Sequence, residues 1–138
     1  MTTKGTKDAK RDEWPQCLEE IGRQVVDSAF RVHNELGPGL LESVYETCML
    51  RELSKRGVSV RRQVPVPIVY DGEILDAALK LDLLVGGAIV VEIKAVEKII
   101  PIHQAQLLTY LRLSQNRIGF LINFNVRLIR DGIRRLVL

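Results

Sequence analysis

The chain lacks most of what would mark it as secreted, stapled or membrane-bound. Two cysteines in 138 residues, Cys17 and Cys48, cannot form a disulfide framework, and no Cys/His spacing has the form of a zinc site. No apolar run approaches the roughly 18 residues that a membrane span needs. The opening stretch MTTKGTKDAKRDEW has no apolar core behind its charges, so no secretory signal is expected and the cytoplasm is the expected compartment. Aromatic residues are scarce, with one Trp, three Tyr and three Phe, which leaves no evident platform for stacking single-stranded bases. Repeats and low-complexity tracts are also missing.

What is present suits one soluble domain. Hydrophobic residues make up 46% and charged residues 27% of the chain, which excludes a mainly disordered or collagen-like polymer. The length is enough for one core and short for two. Residues 1–13 are polar and without periodicity, and are expected as a tail ahead of a single domain over 14–138. The net charge of +3 is unevenly spread. Residues 1–98 hold 14 Lys/Arg against 16 Asp/Glu, a net of −2, whereas residues 99–138 hold six Arg against Asp131 alone, a net of +5. A basic last third can attract phosphate-bearing partners, and a merely solvated basic face explains it equally well.

Apolar residues at three- and four-residue steps (Leu18, Ile21, Val25, Ala29, Val32) predict a helix from Pro15 to Glu35, broken by Leu36-Gly37-Pro38-Gly39. A second helix is expected over Leu40 to Arg56, with Gly57 as its cap. Strands follow over Val58–Tyr70, Ile74–Val85 and Ala88–Val96, then a helix over His103–Leu113 and strands over Arg117–Asn123 and Ile133–Leu138. Pro65 and Pro67 mark the first strand as an edge.

The hairpin AALKLDLLVGGAIVVEIKAV holds the chemistry. Ile89, Val91, Ile93 and Ala95 alternate as one apolar face, while Glu92 and Lys94 point the other way with Val90. In the preceding strand Ala77, Leu79, Leu81, Leu83 and Val85 read as an apolar face, with Lys80 and Asp82 opposite. Charges in strands fit for burial must pair or bind a metal. A three-residue loop, Gly86-Gly87-Ala88, or an equivalent bulge is expected here: it sets Asp82 opposite Glu92 with side chains about 5 Å apart, whereas a two-residue loop does not. Two carboxylates beside a lysine suit a hard cation such as Mg²⁺ or Mn²⁺. A cross-strand salt bridge of Asp82 or Glu92 with Lys80 or Lys94 is the plainer reading, and the hairpin alone does not separate the two. On the flanking helices, Gly39, Glu42, Tyr45 and Met49 share one face, as do His103, Gln106 and Tyr110.

In order along the chain, a helix with Glu42, a strand with Asp82, a strand with Glu92-Ile93-Lys94 and a helix with Gln106-x-x-x-Tyr110 resemble the PD-(D/E)XK nuclease superfamily, particularly its RecB-like branch. Gly39-Leu-Leu-Glu42-Ser-Val-Tyr45 is similar to the signature of the small GxxExxY proteins, and the stretches LDLLV, VVEIKAVE, HQAQLLTYLRL and LINFNV support this from about Ile21 to Leu138. Leu81 stands where the motif has proline.

The resemblance implies an α/β fold, an αβββαβ core with a central mixed sheet flanked by helices. It further implies a Mg²⁺- or Mn²⁺-dependent phosphodiester hydrolase acting on DNA or RNA. Asp82, Glu92 and the Ile93 carbonyl would ligate the metal, with Glu42 binding a metal-linked water or a second cation. Lys94 would activate the attacking water, and Gln106 and Tyr110 would orient the site. Arg61, Arg62, Arg112 and Arg117 are candidates for holding nucleic acid through its phosphates. The alternative is a nucleic-acid-binding or assembly module that keeps the fold without turnover. With no separate specificity domain, a protein partner or a homodimer, paired through the apolar terminal strand, could supply specificity.

Overall fold

The computed structural model describes residues 3–138, with side chains from Cys17 onward except that of Ala77. The elements run α1 (Thr3–Leu36), α2 (Glu42–Lys55), β1 (Val60–Tyr70), β2 (Glu73–Val85), β3 (Ile89–Lys94), α3 (Pro101–Ser114), β4 (Ile118–Asn123), a 3-10 turn (Ile129–Gly132) and β5 (Ile133–Val137). The strands form one sheet in the order β1-β2-β3-β4-β5. Every neighbouring pair is antiparallel except β3 and β4, and α3 is the crossover that their parallel pairing requires. This is the mixed α/β sheet expected from sequence.

One boundary differs. α1 begins at Thr3, ahead of Pro15, where the sequence placed the first turn. The Lys, Ala, Asp, Arg and Glu residues upstream lie within about 0.7 kcal/mol of alanine in helix propensity and outnumber the one strongly unfavourable residue there, Gly5, at about 1 kcal/mol. Of the expected tail, residues 1–2 fall outside the described residues and 3–13 have helical backbone.

Helices cover both faces of the sheet. Val25, Ala29 and Val32 of α1 and Tyr45, Met49 and Leu53 of α2 pack with Leu83, Val85, Ile89, Val91, Ile93 and Phe120 on one face. Leu107 and Leu111 of α3 pack with Val64, Val66, Leu81, Val90 and Leu121 on the other. β3 lies between these layers and is buried from Ile89 to Ile93, as a strand covered on both faces must be. Glu92 is the one charge within that run.

The apolar face read from Ala77 to Val85 is corrected by this packing. Leu81 joins the α3 side, whereas Leu83 and Val85 join the α1/α2 side, although alternation would put all three together. The face changes at Asp82. β1 changes with it: Val64 packs toward α3, while Arg62 reaches Glu46 of α2. Between them Gln63 has φ 50°, a left-handed conformation rare for a residue with a β-carbon. The register brackets the bend, pairing Arg62 with Leu83 and Val64 with Leu81 and skipping Gln63 and Asp82.

Candidate active site

The β2–β3 hairpin closes through the three-residue loop expected. Val85 pairs with Ile89, Leu84 with Val90 and Leu83 with Val91, around Gly86 and Gly87 at φ 62° and 67°, values that glycine adopts freely. Beyond Leu83 and Val91 the ladder stops, and side chains take over the backbone donors. The Asp82 N–H donates to Glu92 Oε2 at 3.0 Å, and the Ile93 N–H donates to Asp82 Oδ2 at 2.8 Å. The two carboxylates are therefore locked beside each other where the strands part.

Their electrostatics follow from that position. Burial pushes the Glu92 carboxyl up to about 8, with the Asp82 charge adding to the effect. Burial also raises Asp82, against the opposing pull of the Ile93 N–H. Among the described residues, no ion pair joins either carboxylate to Lys80 or Lys94. The salt-bridge reading of the hairpin thus has no geometric support. Lys94 instead turns toward α3, where its Nζ donates to Gln106 Oε1 at 3.4 Å. Gln106 Nε2 in turn donates to the Tyr110 hydroxyl at 2.8 Å, and burial followed by the Glu92 charge raises the Tyr110 phenol.

On the opposite side, a pocket of about 240 Å³ is lined by Glu42, Ser43, Glu46, Gln63, Asp82 and Ile93. Glu42 is the first residue of α2, where a carboxylate suits the helix dipole. The Gly39-x-x-Glu42-x-x-Tyr45 spacing has a structural cause. Tyr45 is fully buried and stacked on Phe124, with ring centres 4.5 Å apart. Its hydroxyl donates to the Gly37 carbonyl at 2.6 Å and accepts the Leu40 N–H at 3.1 Å. Tyr45 thereby fastens the loop that delivers Glu42, and Gly39 sits in that loop at φ 98°.

Three residues of this wall, Ser43, Glu46 and Gln63, were not singled out from sequence. Glu46 is buried and accepts from Arg62 Nη2 and from Gln63 Nε2, each at 2.6 Å; Gln63 also reaches Asp82 Oδ1 at 3.5 Å. Glu42 and Glu46 lie four apart on one helix face, the signal that could have found the second. Asn123 was also passed over: its amide donates to the Val96 carbonyl and accepts the Val96 N–H. It replaces strand pairing just beyond Lys94, which is why β3 ends before Val96.

The structure thus gathers Asp82, Glu92, Ile93, Lys94, Gln106 and Tyr110, with Glu42 across the pocket. The four arginines separate. Arg62 is committed to Glu46, and Arg61 follows Val60 on the exposed edge strand. Arg117 precedes Ile118, which pairs with Ile89, whereas the site lies at the end where Asn123 pairs with Lys94. That is roughly 16 Å further along the strand. Arg112, in the last turn of α3, lies toward the Arg117 end. His103 is a cap, its Nδ1 accepting the Ile100 N–H, and His33 bonds the Val126 carbonyl.

A family model of the PD-(D/E)XK nuclease superfamily matches residues 19–136. The chain belongs to that superfamily. No curated protein and no solved structure matches it. Membership in the PD-(D/E)XK nucleases brings a general nuclease-like, metal-dependent character, with nucleic acid as substrate class and a divalent ion, typically Mg²⁺, as cofactor. Among the described residues, no helix is long and apolar enough to cross a membrane.

The donor set fits such an ion. Among the described residues no three His, Cys, Asp or Glu side chains form a metal-holding group, so the side-chain ligands available here are the Asp82 and Glu92 carboxylates. Mg²⁺ is commonly held by one or two carboxylates, its other positions going to water and substrate oxygens. Each carboxylate spends one oxygen on a backbone N–H, which leaves Glu92 Oε1 and, beside a 3.5 Å bond from Gln63 Nε2, Asp82 Oδ1 to face a ligand.

Proposed function

We propose that this chain is a Mg²⁺- or Mn²⁺-dependent phosphodiesterase that cuts DNA or RNA, within the GxxExxY group of the RecB-like branch. One observation carries the reading: the Asp82 and Glu92 carboxylates share the open end of β2–β3 without a lysine partner, while Lys94 is held beside them by Gln106. Asp82 and Glu92 hold the ion. When bound, it supplies Lewis-acid stabilisation of phosphate charge and lowers the pKa of water. The Lys94 ammonium faces the phosphate and balances charge developing there, and Tyr110 fixes Gln106 so that this ammonium arrives oriented. Glu42 and Glu46 line the far wall and order the water that approaches from it. The Ile93 carbonyl is the remaining protein donor near the two carboxylates.

The test pairs metal binding with cutting. Calorimetric titration of Mn²⁺ into the wild type should show binding that Glu92→Gln loses, and Mn²⁺-dependent cutting of labelled DNA or RNA should disappear in the same variant. Lys94→Ala should keep Mn²⁺ and lose cutting. Cutting that persists in both variants comes from a contaminating nuclease and overturns the reading. A wild type that holds Mn²⁺ and nucleic acid without cutting is instead a binding module.

A further inference from the structure

A second and larger hollow lies at the same end of the sheet. It encloses about 850 Å³ between the last turns of α1, the Gly37–Pro38 bend and the chain that leaves β4. Two links fix it relative to the metal pocket. Gly37 and Pro38 lead directly into the loop that ends at Glu42, and Phe124 at the exit of β4 donates its N–H to the Lys94 carbonyl at 2.9 Å. Tyr45, stacked on Phe124, donates its hydroxyl to the carbonyl of Gly37 in the lining of this hollow. The hydrogen bond from His33 to the Val126 carbonyl, 2.8 Å, holds the cleft's two walls together.

The lining has the opposite charge from the pocket. Arg31, Arg127 and Arg130 contribute to it and no acidic residue does. Arg31 pairs with Glu35 at the margin, at 3.3 Å. Among the described residues neither Arg127 nor Arg130 has an ion-pair partner. Phe30 and Leu128 add apolar surface that is 44% and 40% exposed. A pocket lined with carboxylates repels phosphate, so a polyanionic substrate needs positive charge close by to be retained. Arginines spaced along a cleft beside apolar surface suit a sugar–phosphate chain better than a small free anion.

We infer that this cleft binds the backbone of the nucleic-acid strand that flanks the bond presented to Asp82 and Glu92. The inference rests on the reading of that pocket as one that takes a phosphodiester.

The test uses the full chain carrying Lys94→Ala, so that the strand stays intact with Mn²⁺ present. Affinity for a fluorescein-labelled single-stranded DNA of mixed sequence, and for its RNA counterpart, is read by anisotropy at several salt concentrations. Adding Arg127→Gln and Arg130→Gln should weaken binding by about tenfold or more and lower the salt slope by about 1.4, two single-strand phosphate contacts. Arg51→Gln with Lys55→Gln on exposed α2 removes the same charge and should change little. Equal weakening in both pairs overturns the cleft, as does a parent that binds neither strand. The single variants, checked by their melting transitions, decide the matter if the double variant does not fold. Calorimetry with Mn²⁺ on the same proteins keeps the two readings apart: intact metal binding with unchanged strand affinity removes the cleft alone, whereas a parent that binds no Mn²⁺ removes the pocket.

Discussion

The two ends of the β2–β3 pair are made of similar sequence and behave differently. At the turn end, Leu83 to Val85 and Ile89 to Val91 form a regular ladder of apolar residues, all buried except the partly exposed Leu84. At the other end the strands part, and Asp82 and Glu92 accept backbone N–H groups that a neighbouring strand would otherwise take. The first end gains its stability from burial. The second gives up pairing and holds two carboxylates in a place poor in solvent, where their charges are costly until a cation arrives. The site stands on the first end's rigidity, and that dependence can be tested from either side.

The largest effect is expected where the carboxylates are. Glu92→Gln keeps an oxygen that can accept the Asp82 N–H, so the fold should persist while metal-dependent cutting disappears. Lys94→Ala should lower cutting by about 10²–10³-fold, the cost of removing one charge-stabilising donor. Single-turnover rates on labelled strands, beside melting curves, check both. Melting curves that stay near the wild type while cutting vanishes place the effect in chemistry rather than folding.

Much of this end could be read from sequence. Gly86-Gly87-Ala88 set the loop length, loop length set the register, and the register brought Asp82 to Glu92. The bend could not be read. It depends on Gln63 at positive φ, and residue type gives no warning of that when glycine, asparagine and aspartate are the usual occupants. Because the faces change at Gln63 and Asp82, Leu81 and Leu83 separate, Arg62 meets Glu46, and the pocket gains a wall that strict alternation does not contain. The Lys94–Gln106–Tyr110 chain needed only helix spacing and the identity of the facing strand. For the same reason it was legible, whereas the large cleft, assembled from α1 and the segment after β4, had no local pattern to reveal it.

Proton linkage separates the two ends next. The Glu92 carboxyl moves from 4.5 up to about 8 on folding without metal, so between these values the folded chain binds more protons than the unfolded one. Stability conferred by the neutral carboxyl is complete below about pH 4.5 and is lost as pH rises through about 8, an effect on the order of a few kcal/mol. Denaturant titrations of the metal-free protein across this range should show the decline, and Glu92→Gln should flatten it. Mn²⁺ works in the other direction, since it binds the ionised form, and its affinity should rise with pH over the same window. A metal-free wild type whose stability does not change from pH 5 to 8 would contradict the burial of this carboxyl.

At the turn end the expected effect is smaller and purely structural. Gly86 has φ 62°, and a β-carbon there would lie 2.6 Å from Ile21 Cδ1. Gly86→Ala should therefore cost about 2 kcal/mol, from the left-handed backbone and the displaced isoleucine. Thermal melting should fall by roughly 5–10 °C. Cutting per folded molecule should not change, because the ladder from Leu83 to Val85 still delivers Asp82. A loss of activity greater than the loss of folded protein would mean that the turn sets the site more directly than its ladder implies.

The bend itself offers the finest test, because two small terms compete there. Gln63 pays a left-handed backbone cost of about 1–2 kcal/mol, set against its bond to the Glu46 carboxylate. That bond is partly exposed and Arg62 also holds Glu46, so its loss costs about 1 kcal/mol. Gln63→Ala loses the bond and keeps the backbone cost, whereas Gln63→Gly loses the bond and removes it. Glycine should then be more stable than alanine at this position by about 1 kcal/mol, the reverse of the order in a regular strand, where glycine is worse by roughly 0.5–1 kcal/mol. Chemical denaturation of the two variants measures the difference directly. The ordinary order, with alanine ahead, would mean that the chain at Gln63 is extended in solution and that the acidic wall formed by Glu46 does not face Asp82.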